Sequence, residues 1–201
     1  KDSDTVYWAT IFLDCIASEF IERASSIEWL EKAVRSTVKG RPHGLGQCGL
    51  RTLLMQQMIP IEGFDAHMLN LDIAAHIAKE SKRASEDMAK ELGEPEWCQG
   101  YGVRNTHLVA IAPTKSSALL MGGVSEGINP DVAMTYTQLT AAGSVDRISP
   151  VLLDLMKKKG VYSKTHLAQI TDKQGSVQHV DWLTDEEKAV FKTAFEINQE
   201  A

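Results

Sequence analysis

The sequence is poor in cysteine and has no long apolar run. Its three cysteines, Cys15, Cys48 and Cys98, lie far apart, and none has the CxxC or Cys/His spacing that holds zinc. An odd cysteine count without a secretory leader is typical of a reducing compartment such as the cytoplasm. No apolar run approaches the ~20 residues that a membrane span needs. We therefore expect neither a zinc site nor a membrane protein.

Positive charge is also scarce. The chain of 201 residues has 21 Lys and Arg against 27 Asp and Glu, a formal net charge of −6. The absence of a basic block argues against a nucleic-acid or anionic-membrane partner. The length and a hydrophobic content of 43% allow one well-buried core. An acidic chain of this kind would bind an anion locally, through backbone N–H groups, hydroxyls and one or two cations.

Helical periodicity dominates the chain. The predicted helices cover residues 4–39 with a break near 25–26, 50–58, 64–92, 151–159, 163–172, and a segment after a capping box that starts at Thr184. A strand or extended arm is predicted over 132–140. In the first helix the predicted core face is Val6, Ala9, Leu13, Ile16, Phe20 and Ala24. Asp14 lies outside that predicted face, and Cys15 is interpreted as a small buried residue.

The stretch from Arg104 to Pro130 carries the most specific pattern. The apolar run Leu108–Ala112, stopped by Pro113, predicts a buried strand. A hydroxyl-rich turn follows, Thr114-Lys115-Ser116-Ser117, and then a short helix closed by two glycines. The first N–H groups of a helix have no intrahelical partner and favour an anion such as phosphate. Plain helix capping by Ser or Thr is the alternative, and the Walker pattern is absent.

The same stretch resembles the large, catalytic subunit of class I ribonucleotide reductase. The resemblance is carried by Arg104-Asn105, by Pro113-Thr114-Lys115-Ser116-Ser117-Ala118 and by Gly127-Ile128-Asn129-Pro130, and it extends through essentially the whole chain. The flanking segments 122–125 and 175–182 are similar to phage-encoded members. Arg41–Gly49 is similar to an Arg-x-x-Gly-x-Gly segment of the family, which we interpret as close packing of the backbone, with contact to a ligand as the alternative. Asn129 departs from the family, which usually has Glu before that proline, so no carboxylate role is carried over.

The resemblance implies a fold and a substrate site. The fold would be α/β and predominantly helical, a part of the ten-stranded α/β barrel. Residues 1–201 would form a single segment of the catalytic barrel domain, incomplete on its own. In the family, the turn at the helix start holds the diphosphate of the nucleotide substrate. The residues that this assigns to diphosphate binding are Pro113, Thr114, Lys115, Ser116, Ser117 and Ala118, with Pro113 shaping the turn.

The resemblance also implies a reaction and partners. The family reduces ribonucleoside diphosphates to deoxyribonucleoside diphosphates for DNA synthesis by thiyl-radical chemistry. The small subunit would supply a diiron-tyrosyl radical, ATP and dNTP effectors would bind upstream, and the large subunit would form a homodimer. The Asn-x-Cys-x-Glu motif of the radical cysteine and the Tyr-Tyr pair do not occur here. No catalytic residue, metal ligand or cofactor is therefore assigned, and we expect the isolated chain to be inactive, in the cytoplasm or in the host cytoplasm if it is phage-encoded.

A non-catalytic helical interaction module is the competing hypothesis. In that case the hydroxyls at 114–117 would only cap a helix, and the chain would be a stable, solitary monomer. The start at Lys1-Asp2 without an initiator Met instead suggests a piece of something longer. A barrel piece would expose apolar surface and an unpaired edge at Leu108–Ala112.

Overall fold

A computed structural model describes residues 4–140 and 143–198, which leaves Lys1 and Asp2 outside the described residues. Most of the regular structure is helical. The helices are α1 Thr5–Ala24, α2 Glu31–Gly40, α3 Leu50–Gln56, α4 Phe64–Leu92, α5 Lys115–Leu120, α6 Pro150–Lys158, α7 Lys164–Asp172 and α8 Asp185–Val190. Two strands, β1 Thr135–Thr140 and β2 Gly143–Ile148, form an antiparallel hairpin. In the part of the chain so described, no helix is long and apolar enough to cross a bilayer.

The sequence patterns locate these helices well. The break predicted near 25–26 separates α1 from a 3₁₀ turn at Glu28–Leu30 and from α2. The longest predicted helix, 64–92, is confirmed as α4. The capping box at Thr184 is confirmed, because its hydroxyl accepts from the Glu187 N–H while the Glu187 carboxylate accepts from the Thr184 N–H. Strong caps and turn residues act locally, so they are visible in sequence.

The chain divides into two compact units. The first contains the chain up to Gly46 together with Leu71–Ile111, and the second contains Gln47–Asn70 and the chain from Ala112 onward. The expectation of a single segment of one barrel domain stays a prediction.

The second unit has a dense apolar core under its hairpin and last helices. The buried residues of this core are Met55, Met134, Leu152, Met156, Ile170, Val177, Val180, Leu183, Val190 and Phe191. Helical spacing after the capping box predicts a core face of Val190, Phe191, Ala194, Phe195 and Ile197. Val190 and Phe191 are buried as predicted, but α8 ends at Val190 and the prediction was wrong for Phe195, which is 84% exposed. The helical spacing was carried past the residue at which the helix stops.

The buried face of the first helix matches the predicted one only in part, with Ala24 buried as predicted. Thr10, Asp14, Ala17 and Ala24 are the buried residues of α1, whereas Ile16 is exposed. The prediction that Asp14 lies outside the core was wrong, because basic partners in the same unit compensate its charge. The prediction that Cys15 is buried was also wrong, because its side chain is exposed.

The extended segments differ from expectation in two places. Leu108–Ala112 was predicted to be a buried strand, but it makes one isolated parallel bridge, Leu45↔Val109, and Ile111 is 78% exposed. Because the bridge involves only Leu45 of the neighbouring segment, Leu108–Ala112 is extended but does not form part of a sheet. Conversely, β2 was missed, because the sequence 146–150 was interpreted as the segment that leads into the helix predicted over 151–159. The residues of β2 pair with β1 in the register Thr135↔Ile148 to Thr140↔Gly143.

Candidate functional site

The hydroxyl-rich turn adopts a strained, specific backbone. Thr114, at the N-cap position of α5, is left-handed with φ 51° and ψ 25°. Its hydroxyl accepts a 2.7 Å hydrogen bond from the Gly127 N–H and donates to Cys48 Sγ at 3.3 Å. The hydroxyl makes no capping bond to the helix. The plain capping alternative therefore fails at Thr114, whose side chain ties the turn to the segments 47–49 and 125–130 instead.

The three backbone amides that follow Thr114 have no hydrogen-bond acceptor among the described residues. The first bond of α5 is made by the Ala118 N–H to the Thr114 carbonyl at 2.8 Å. Within the described ranges, no acceptor binds the N–H groups of Lys115, Ser116 or Ser117. The side chains of these three residues are exposed, and no described residue forms a hydrogen bond or ion pair with their polar ends. The turn thus presents three backbone donors, two hydroxyls and one ammonium in three consecutive residues, 115–117, a donor set suited to phosphate oxygens.

The short helix is held at both ends. Ala118 is the buried residue of α5, with 2% of its surface exposed. Two glycines with positive φ, Gly122 and Gly123, end the helix, and the Gly123 N–H donates to the Ala118 carbonyl at 3.0 Å. A side chain at Gly123 would collide with the guanidinium of Arg147, as the contact of 2.5 Å to Nη2 shows. Gly123 therefore lets Arg147 of the hairpin approach the end of α5.

A cleft of about 690 Å³ lies between α5 and the hairpin. This volume is typical of small-molecule sites. Its charged and polar lining residues are Lys115, Glu126, Asn129, Asp131, Tyr136, Thr137, Arg147 and Ser149. Apolar side chains such as Leu119 and Val124 form the rest of the wall. The predicted turn therefore borders this cleft through Lys115 and Ala118.

One acidic group of the cleft has an unusual proton affinity. Burial raises the pKa of Asp131 to about 6, although the charge of Arg51 opposes that rise. Arg51 is fully buried, and its Nη2 donates to the carbonyls of Val190 and Lys192 at 2.6 and 2.9 Å. Its Nε and Nη1 lack a partner among the described residues. The carboxyl of Asp131 is therefore more readily protonated than an ordinary one, and the buried cation near it is only partly hydrogen-bonded within the described residues.

A second polar cluster is buried in the first unit, where the sequence predicted none. Asp14 accepts from Arg41 at 2.7 and 2.9 Å, from Arg104 at 3.1 Å and from Asn105 at 2.9 Å. Burial alone would raise the pKa of Asp14, but the hydrogen bonds from Arg41 and Arg104 hold that pKa below its usual value. Asn105 also accepts from the Ser85 hydroxyl at 2.7 Å. Through these bonds Asp14 connects α1 to Arg41, which follows α2, and to the segment that begins at Arg104.

Comparisons with known proteins show the family of the chain. The family model for the ribonucleotide reductase barrel domain matches residues 3–100 and 96–201. The chain belongs to this family.

The relatives of this barrel-domain chain are mostly large subunits. A Frog virus 3 protein is 34% identical over 200 residues, 99% of this chain and 35% of that protein. The ribonucleoside-diphosphate reductase large subunit of Invertebrate iridescent virus 3 is 34% identical, over 94% of this chain and 30% of that protein. The Actinobacillus ureae class Id ribonucleotide reductase alpha subunit superposes with a TM-score of 0.87 and 38% identity. That comparison covers 96% of this chain and 35% of the solved one.

This barrel-domain chain therefore spans about a third of the length of these relatives. The expected fold class is confirmed: the chain is a mostly helical part of an α/β barrel domain with a small sheet. The assignment of Pro113–Ala118 to the diphosphate is tested by none of these comparisons. Asp14, Arg51 and Arg147 were missed in the sequence, because the residues next to a charged side chain in the chain do not indicate whether the fold buries it or places it in a cleft.

Proposed function

We propose that the chain is part of the catalytic large subunit of a ribonucleoside-diphosphate reductase and that it holds the substrate diphosphate. The residues proposed for that role are Pro113, Thr114, Lys115, Ser116, Ser117 and Ala118. The observation that carries the proposal is the set of three free N–H groups at Lys115, Ser116 and Ser117, in a chain that belongs to the family almost end to end.

The residues of the turn would divide the work. Pro113 limits the backbone before the turn, and Thr114 holds its shape through the bonds to Gly127 and Cys48. The amides of residues 115–117 would donate to the phosphate oxygens, and the hydroxyls of Ser116 and Ser117 would add two donors. Lys115 would balance part of the negative charge. This arrangement orients a diphosphate ester without covalent chemistry.

The radical and redox steps would be performed by other parts of the enzyme. Within the described part of the chain, no group of three or more His, Cys, Asp or Glu side chains is placed to hold a metal ion. We propose that a small subunit supplies a diiron-tyrosyl radical, that ATP and dNTP effectors bind an upstream region, and that the large subunit forms a homodimer. The 201-residue chain alone would then not reduce ribonucleotides.

Reassembly tests the catalytic part of this proposal. The chain would be co-expressed with an upstream piece that carries the Asn-x-Cys-x-Glu loop and a downstream piece that carries the tyrosine pair. With small subunit present, we expect the pieces to co-purify and to reduce cytidine diphosphate, whereas the chain alone does not. Turnover by the 201-residue chain with small subunit only would contradict the proposal, and a solitary, stable monomer would support the interaction-module alternative.

Substitution of Ser117 tests the substrate site. In the reassembled enzyme, Ser117→Leu removes a donor and places bulk over the amides, so the Michaelis constant should rise by about 10-fold or more. That rise corresponds to ~1–3 kcal/mol for a hydrogen bond to a charged group. Ser26→Ala, at an exposed serine in the loop after α1, is the control and should leave the constant unchanged. An unchanged constant in Ser117→Leu would remove the turn from the site.

A further inference from the structure

The guanidinium of Arg147 lies against Gly123, which has no side chain to displace it. Arg147 lies on β2 opposite Tyr136 of β1 and lines the cleft. A Cβ built on Gly123 would lie 2.5 Å from its Nη2 and 3.3 Å from its Cζ, and Gly123 has φ +79°. Any residue other than glycine at 123 would therefore be strained and would also displace the guanidinium.

The positive charge of Arg147 is not paired with any described acidic side chain. The described residues offer Arg147 neither an ion pair nor a hydrogen bond, although Glu126 and Asp131 line the same cleft. Its positive charge acts on Tyr136 in the cleft. Burial raises the pKa of Tyr136, and the charge of Arg147 opposes that rise. A half-buried guanidinium with five N–H donors and no acceptor is costly unless a ligand or water completes it.

Lys115 is the second cation of the cleft. It is the first residue of α5, and no described acidic side chain lies within ion-pair distance of its ammonium. The cleft thus runs from the proposed diphosphate turn, at Lys115, to the hairpin, at Arg147. A planar guanidinium matches two oxygens of one phosphate group, which a lysine ammonium does not.

We infer that Arg147 is a further substrate-binding residue, which forms paired hydrogen bonds to a phosphate group of a nucleoside diphosphate held by Lys115 and the turn. This inference rests on the proposed function. It assigns to the hairpin a role in substrate binding that the turn motif alone does not include. Gly123 then has a functional reason as well as a conformational one, because it leaves room for the guanidinium beside the ligand.

The test measures binding of inorganic pyrophosphate to the full 201-residue chain by calorimetry, with amide NMR spectra as the check of folding. Arg147→Met keeps the aliphatic stem and removes the charge, and it should weaken binding by at least about tenfold. Arg147→Gln is the second variant, in case the first does not fold, and should weaken binding by a similar factor. Lys158→Met is the matched control. It makes the same charge change at an exposed residue of α6 outside the cleft and should change affinity less than about twofold.

The remaining outcomes separate this inference from the function on which it rests. If Arg147→Met or Arg147→Gln binds pyrophosphate as the unchanged chain does, while Ser117→Leu binds weakly, the turn is the phosphate site and Arg147 has no part in it. If Lys158→Met weakens binding as much as Arg147→Met, the effect is one of net charge and the inference is wrong. If the unchanged chain binds no pyrophosphate, the inference and the proposed turn fail together.

Discussion

Replacing Asp14 with asparagine should destabilise the first unit more than any surface change. The carboxylate is 3% exposed and accepts two bonds from Arg41, one from Arg104 and one from Asn105. Asparagine has nearly the same shape, but it removes the negative charge and turns one acceptor into a donor that faces a guanidinium. Breaking a buried ion pair from one side costs about 3–5 kcal/mol, because the remaining charge is left uncompensated. We expect the free energy of unfolding to fall by that amount at pH 7.

The pH dependence makes this prediction specific. The folded pKa of Asp14 is lowered, so its stabilising contribution is present above the ordinary carboxyl pKa of about 4 and is lost as the pH falls through the folded value. The difference in free energy of unfolding between Asp14→Asn and the original chain should therefore shrink towards pH 2. Urea denaturation followed by fluorescence measures it, since Trp8, Trp29 and Trp97 lie in the first unit. Glu22→Gln, at an exposed residue of the same helix, is the control. A loss of less than about 1 kcal/mol in the free energy of unfolding of Asp14→Asn at pH 7, or a loss that does not depend on pH, would refute the reasoning.

Three further predictions concern the second unit. Asp131→Asn should be more stable than the unchanged chain at pH 8, by up to ~3 kcal/mol, because the folded pKa is raised to about 6 and ionisation there is penalised. Denaturation at several pH values should show this gap closing as the pH falls below about 6, and a gap that widens instead would contradict it. Arg51→Met should raise the pKa of Asp131 further, since Arg51 opposes the rise; a carboxyl NMR titration with a lower pKa would disprove this. Gly127→Ala should cost at least about 1–3 kcal/mol in thermal denaturation, because the residue has φ 55° and its Cβ would lie 2.6 Å from the Ala112 carbonyl oxygen. An unchanged melting temperature would exclude that strain.

The sequence by itself determined the helical plan and the family. Local signals were sufficient for this, because a helix start such as the capping box at Thr184, or a stop such as Gly93, depends on neighbours within one turn. The turn Pro113–Ala118 was also visible, since its hydroxyls, lysine and flanking residues form a contiguous motif. A pattern confined to a few successive residues can be interpreted without knowing what surrounds it.

Tertiary structure alone decided which charges are buried and where they act. Asp14 lies in the core of the first unit because Arg41, Arg104 and Asn105 reach it from 27 to 91 residues away in sequence. Arg147 borders the cleft because β2 pairs with β1 and so brings residue 147 opposite Tyr136. The environment of a charged group is set by residues distant in the chain, and periodicity contains no information about them.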